Sequence, residues 1–219
     1  MTIFYIGDST VARNNIHSYP QTGMSQGLVL YVKESIAVES HAKNGRSTKS
    51  FLDEGRFEAV QRAMKPGDLL LIQFGHNDEK PDAARHTDPD TTFKQNLRIF
   101  IDAARAAGAH PVLITPIARR LFDEDGRFKP GSHGPYPNAI RQLGEELVVP
   151  VIDLTAMTEE YLARLGDEPS KPLFMWPKDN THLKPEGAVR MAGFLAKGLE
   201  ALGGIYAAIL ASEDEGAHQ

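Results

Sequence analysis

Four short segments of this chain end on groups that can carry out acyl transfer. They are Ser9 in Gly7-Asp8-Ser9-Thr10, Gly45 in Asn44-Gly45-Arg46-Ser47, Asn77 in Gly75-His76-Asn77-Asp78, and the pair Asp179 and His182 in Asp179-Asn180-Thr181-His182. A serine hydroxyl is a weak nucleophile at neutral pH and needs a base to take its proton, a role that suits His182. Asp179 can turn back to accept from His182 Nδ1, which leaves Nε2 to face Ser9 and stabilises the imidazolium that forms. The oxyanion made by the attack needs preorganised donors. The backbone N–H groups of Ser9 and Gly45 and the side-chain amide of Asn77 supply three, from three separate loops. Taken singly, each group has a plainer reading: Ser9 as a helix cap, Gly45 and Asn77 as turn residues, Asp179 and His182 as a cap with a flanking histidine. His76 and Asp78 read as groups bracing a loop. The joint appearance of the four segments, in this order, points to a hydrolase.

Residues so far apart meet only if the elements before them end on one edge. Ile3-Phe4-Tyr5-Ile6 is a β-branched and aromatic run that stops at Gly7, as a buried parallel strand entering a turn should. Further strands are expected at Ile36–Ser40, Asp68–Phe74, His110–Thr115 and Val149–Asp153, the run from Asp68 being the most apolar and hence central. Helices alternate with them: from Met24 or Ser25 to about Val32, Phe57–Met64, Thr91 or Thr92 to Ala107, Pro137–Leu147, Thr155 or Thr158 to Leu165, and Pro185–Leu202. Pro116 to Pro137 reads as a loop long enough to be functional or mobile. The pattern predicts an α/β fold, a three-layer α/β/α sandwich around a five-stranded parallel sheet, whose strand carboxyl ends share one edge. One domain over residues 1–211 is expected, with a frayed polar tail at 212–219.

Composition narrows the class. The 219 residues are 41% hydrophobic and 24% charged, and 24 Lys and Arg against 29 Asp and Glu give a net charge of −5. Basic residues form no long run, so neither a nucleic acid nor an anionic membrane is an expected partner. With no cysteine, disulfides, thiolate metal sites and cysteine catalysis are excluded. No apolar run approaches a membrane span, and the first strand starts almost at once, which places the protein in the cytoplasm as an expectation.

The four segments together resemble the blocks of the SGNH (GDSL-like) hydrolases, a family with a flavodoxin-like fold named for a catalytic Ser, Gly, Asn and His. The resemblance implies Ser9, Asp179 and His182 as the catalytic residues and Ser9, Gly45 and Asn77 as the oxyanion hole, with no metal and no cofactor. Within the family the chain looks most like the rhamnogalacturonan acetylesterase group. G-D-S-T replaces the commoner G-D-S-L, Q-T-G-x-x-Q spans Gln21 to Gln26, T-P-I-A-R-R-x-F spans Thr115 to Phe122, and H-G-x-Y spans His133 to Tyr136. The resemblance implies a serine esterase that removes acetyl groups from a pectic oligosaccharide through an acetyl-enzyme. Lacking cysteines, the chain departs from the secreted members, which favours a small acetylated oligosaccharide over a polymer.

The residues lend the sugar ester independent support. Trp176 and Tyr136 offer rings on which sugars stack, and Arg46, Lys49, Arg119 and Arg120 offer guanidinium and ammonium groups for uronate carboxylates. Three rivals stand beside this reading: the same machinery acting on a xylan acetate or a short-chain acyl ester or thioester, a metal-dependent phosphoesterase using Asp8, His76, Asp78, Asp179 and His182, and a carbohydrate-binding protein without turnover. The oligomeric state is left open, a homo-oligomer included.

Overall fold

The computed structural model describes residues 1–212, and most of the predicted tail lies outside the described residues. The strands are β1 (Thr2–Gly7), β2 (Ala37–Ser40), β3 (Leu69–Gln73), β4 (His110–Ile114) and β5 (Val151–Ile152). The longer helices that follow them are α1 (Met24–Leu28), α2 (Thr48–Asp53), α3 (Phe57–Ala63), α4 (Thr92–Ala106), α5 (Tyr136–Leu147) and α6 (Leu154–Leu165). A one-turn α7 (Asp167–Ser170) precedes the 18-residue α8 (Pro185–Leu202), and α9 (Gly204–Ala208) closes the described chain.

All strand pairs are parallel, in the order β2-β1-β3-β4-β5. The most apolar strand is therefore the central one, as expected of a strand covered on both faces. Strand pleating sorts successive side chains into two cores. Ile3, Tyr5, Leu69, Leu71, Val112 and Ile114 pack with residues of α1, α6 and α8 on one face. Phe4, Ile6, Leu70, Ile72 and Leu113 pack with α3, α4 and α5 on the other, where Phe51, Phe57, Phe74 and Phe100 form an aromatic cluster with centroids 4.7 to 6.1 Å apart. This is the predicted α/β/α sandwich.

Several boundaries differ from expectation, each for a local reason. β5 is shorter than Val149–Asp153. Val148 takes a left-handed conformation and Val149 N–H returns to the Gly144 carbonyl, so both close α5, while the Asp153 side chain accepts from Ala156 N–H and caps α6. Ser47 and Ser50 bond each other's backbone N–H reciprocally, a capping box that starts α2, a helix absent from the expected set. The first helix ends at Leu28 rather than Val32, which leaves Val32 to form an isolated antiparallel bridge with Leu210.

The contact that locks the two ends of the chain together is between α1 and α8. Gly27 lies against the backbone of α8 so closely that a Cβ there would sit 2.6 Å from the Ala188 carbonyl oxygen and 2.9 Å from Val189 Cα. Backbone cannot yield as a flexible side chain can. We expect Gly27→Ala to lose about 1–3 kcal/mol of stability through overpacking, read from the denaturant midpoint. An unchanged midpoint would show that the helices slide apart freely.

Candidate active site

The order 2-1-3-4-5 reverses direction between β1 and β3, and in open α/β sheets the crevice at the carboxyl ends beside such a reversal is where ligands bind. Ser9 follows β1, Gly45 follows β2 and Asn77 follows β3, so the topology alone brings three of the four segments to that crevice. Asp8 shapes the first turn. Its Oδ1 accepts from both the N–H and the hydroxyl of Thr10 at 2.9 Å, while its carbonyl accepts from Ala12 N–H at 2.9 Å.

The fourth segment arrives from the other end of the chain. Phe174 and Leu183, both fully buried, form an antiparallel bridge just before α8, and the loop between them carries Asp179 and His182. Asp179 Oδ1 accepts from the N–H groups of Thr181 at 2.8 Å and His182 at 2.7 Å, which folds the loop back on itself. Its other oxygen lies 3.1 Å from His182 Nδ1, and His182 Nε2 lies 2.8 Å from Ser9 Oγ. Burial pushes the Asp179 carboxyl up, but the N–H groups of His182 and Thr181 and the His182 ring outweigh it, so the acid is held below its ordinary value and stays ionised. A carboxylate on Nδ1 sets the tautomer that leaves Nε2 able to accept the serine proton.

Opposite this pair the chain presents donors. Gly45 has φ +79°, a left-handed conformation that a side chain would strain, and it turns the loop after β2 toward the crevice. Asn77 donates through Nδ2 to the Arg46 carbonyl at 3.1 Å and accepts at Oδ1 from Arg85 at 3.3 Å, which fixes the amide with its second N–H uncommitted. Ser9, Gly45, Asn77, Asp179 and His182 all line one cavity of about 500 Å³. A larger groove of about 630 Å³ lies between α6, α8 and residues 210–212; it contains no histidine and no part of this cluster.

The substrate-contact expectations fare unevenly. Arg119 lines the cavity, bridging the Thr181 hydroxyl, the His76 carbonyl at 3.3 Å and Glu79 at 2.5 Å. Tyr136 does not: it is buried, edge-on to Phe93, with its hydroxyl donated to the carbonyls of Asp78 and Thr87, so it ties two loops together and offers no ring to a sugar. Arg46 is turned to Glu54 at 3.0 Å and to the Asn44 carbonyl at 2.9 Å, and Lys49 bonds the Ala83 carbonyl, so neither points into the cavity. Arg120 is buried among Asp167, Ser170 and the rings of Phe122 and Trp176, where it anchors the 116–135 loop. Trp176 is 38% exposed, covered by Arg120 at 4.7 Å, and stands outside the cavity lining. In their place the wall carries Lys80 and Arg85, which the sequence reading passed over. Both lie within eight residues of Asn77, in a loop leaving the carboxyl end of the central strand, and that position was the available signal.

His76 and Asp78 also flank Asn77 from within. Asp78 accepts from Thr48 N–H at 3.0 Å and from the Thr48 and Thr87 hydroxyls. Among the described residues, no group of three or more His, Asp or Glu is arranged to hold a metal ion, and none of the helices is long and apolar enough to cross a membrane.

Comparison with known proteins gives this geometry a family. The GDSL-like lipase/acylhydrolase family model matches residues 5–190, most of the chain and all four segments. The chain belongs to this family. The rhamnogalacturonan acetylesterase RhgT of Bacillus subtilis is 45% identical over 213 residues, covering 92% of this chain and 90% of that one. The crystal structure of the Bacillus subtilis protein YxiM superimposes with a TM-score of 0.83 at 30% identity over 92% of this chain, which spans only 56% of that longer protein. Axe2, an acetylxylan esterase from Geobacillus stearothermophilus, shares the fold with a TM-score of 0.63 at 18% identity, covering 91% and 92% of the two chains. The GDSL-like sandwich is thus common to proteins with different sugar names.

Burial raises the Asp78 carboxyl to about 7 against the lowering pull of its Thr48 and Thr87 hydrogen bonds. An acid whose folded pKa exceeds its unfolded one binds the extra proton in the folded state, so stability falls as pH rises from about 4, the unfolded value, toward that folded value. Asp78→Asn removes this titration. We expect its unfolding free energy to decline less steeply across that window than the wild type's, measured by denaturation at stepped pH; parallel profiles would place the titration elsewhere.

Proposed function

We propose that this protein is a serine esterase that removes O-acetyl groups from rhamnogalacturonan-type pectic oligosaccharides through an acetyl-enzyme. The observation that carries the reading is the continuous line from Asp179 Oδ2 through the His182 ring to Ser9 Oγ, with contacts of 3.1 and 2.8 Å, opening on a polar cavity. In this mechanism His182 Nε2 takes the Ser9 proton as Oγ bonds to the acetyl carbonyl carbon. The carbonyl electrons move onto oxygen, and the N–H groups of Ser9, Gly45 and Asn77 Nδ2 meet the new charge. When the tetrahedral centre collapses, the C–O bond to the sugar breaks and His182 returns the proton to the departing oxygen. Water then repeats the sequence on the acetyl-serine, releasing acetate.

The carrier is inferred from two lines. The Bacillus subtilis relative bears the name rhamnogalacturonan acetylesterase and matches along nine-tenths of both chains. The cavity wall also carries Lys80, together with Arg85 and Arg119, which Asp82 and Glu79 hold in place, and these cations suit a uronate-bearing saccharide more than a neutral one. Acetate release from acetylated rhamnogalacturonan oligosaccharides should therefore outpace release from acetylated xylo-oligosaccharides, and the reverse order would move the assignment to the neutral carrier.

Ser9→Ala should abolish turnover of p-nitrophenyl acetate, and full activity in that variant would remove the mechanism. Asn77→Ala deletes one oxyanion donor and should lower kcat by about 100- to 1,000-fold with little change in KM. A loss confined to KM would make Asn77 a binding group instead.

A further inference from the structure

Among the described residues, seven buried side-chain polar atoms lack a hydrogen-bond partner within the protein, and four of the seven belong to three residues of the Ser9 cavity wall. These are Gln21 Nε2, Asn44 Oδ1 and both ring nitrogens of His76. Buried polar atoms are nearly always paired, because an unmet donor or acceptor costs its full desolvation. Three lining residues of one cavity that carry such atoms are the natural place to look for a polar ligand's contacts.

Each group is held in place from behind. Asn44 donates Nδ2 to Asn14 Oδ1 at 3.0 Å, which directs its own oxygen away from that contact. Asn14 is clamped in turn by Gln26, whose side chain accepts from Asn14 N–H at 2.9 Å and donates to its carbonyl at 3.2 Å. The stretch from Gln21 to Gln26 therefore supplies one wall residue at its start and the clamp for another at its end. The His76 ring stands edge-on to His133 with centroids 4.3 Å apart, and His133 is fixed by Glu79 at 3.0 Å and the Ile117 carbonyl at 2.8 Å. Burial, followed by the neighbouring charges of His133 and Arg119, pushes the His76 imidazole well below its ordinary pKa and keeps it neutral.

These three lining residues thus carry, unmet within the protein, an amide N–H, an amide oxygen and a neutral imidazole with one donor and one acceptor. A carboxylate would need donors only, and an alkyl chain would leave all four atoms unmet. A hydroxyl both donates and accepts, so a sugar with adjacent free hydroxyls matches the set. We propose that Gln21, Asn44 and His76 form a subsite that binds the free hydroxyls of the acetylated sugar and thereby selects sugar acetates over simple acetate esters. This proposal rests on the esterase reading above and deepens it.

The test compares kcat/KM on an acetylated rhamnogalacturonan oligosaccharide with kcat/KM on p-nitrophenyl acetate, for the wild type and for Gln21→Met, Asn44→Leu and His76→Phe. In each variant the ratio of the two should fall by about five- to thirtyfold, the size expected for one lost hydrogen bond with its partner left unmet. Proportional losses on both substrates, or none, would overturn the proposal and leave these side chains as a hydrated wall. A second measurement needs no variant to fold: on the wild type, an acetylated methyl pyranoside should be turned over at least five times faster than the same ester with its vicinal hydroxyl replaced by hydrogen. Equal rates would also overturn the subsite. A wild type that hydrolyses p-nitrophenyl acetate and no acetylated saccharide would defeat the carrier and the subsite together while sparing Ser9. Inactivity on both substrates would defeat the esterase reading itself.

Discussion

The hydrogen bond between Ser9 and His182 spans 173 residues of sequence, and nearly everything else in the molecule serves to hold its two ends at 2.8 Å. A hydroxyl and an imidazole have no strong affinity of their own in water, since a typical intramolecular hydrogen bond nets only about 0.5–1.5 kcal/mol. The pairing is therefore imposed by larger forces. β1 is fixed by the two cores, the loop carrying His182 is pinned by the buried Phe174–Leu183 bridge, and the α1–α8 contact sets the distance between them. Thr22 N–H adds a direct tie to the Leu183 carbonyl at 2.9 Å, joining the loop after β1 to the loop before α8.

Much of this was legible in the residues. The strands declare themselves as short apolar runs, and the useful groups sit just beyond them, so their meeting at one edge follows from parallel pairing without knowledge of strand order. Beyond the central place of the most apolar run, the order was not legible, because runs such as Ile3–Ile6 and Val112–Ile114 are both short and apolar and carry no mark of their neighbours. Helix starts were read well where a proline marks them, as at Pro185, and poorly where a single turn forms by tertiary support, as at Asp167 and Gly204.

Side-chain roles outside the four segments were the least legible, because direction decides them. Tyr136 has the ring a sugar would stack on, yet it faces inward since its hydroxyl finds two carbonyls there. Arg119 and Arg120 are neighbours of identical chemistry, and the extended chain sends one guanidinium to the cavity and the other under Trp176. Type and position agree for both; only the local backbone separates a cavity-facing cation from a buried structural one. Gln21 and Asn44 show the converse, uncharged residues in turn-like stretches whose buried, unmatched atoms emerge only in the folded structure.

The close approach of Gly27 to Ala188 has a consequence for how the protein comes into being. Ser9 leaves the ribosome 173 residues ahead of His182, so throughout that stretch of synthesis the nascent chain carries the hydroxyl without the imidazole that pairs with it. Only when α8 is complete and seats on α1 does the hydroxyl meet that imidazole. Under the proposed mechanism, ester hydrolysis is thus a readout of finished folding, and any event that peels α8 from α1 silences the serine without touching it.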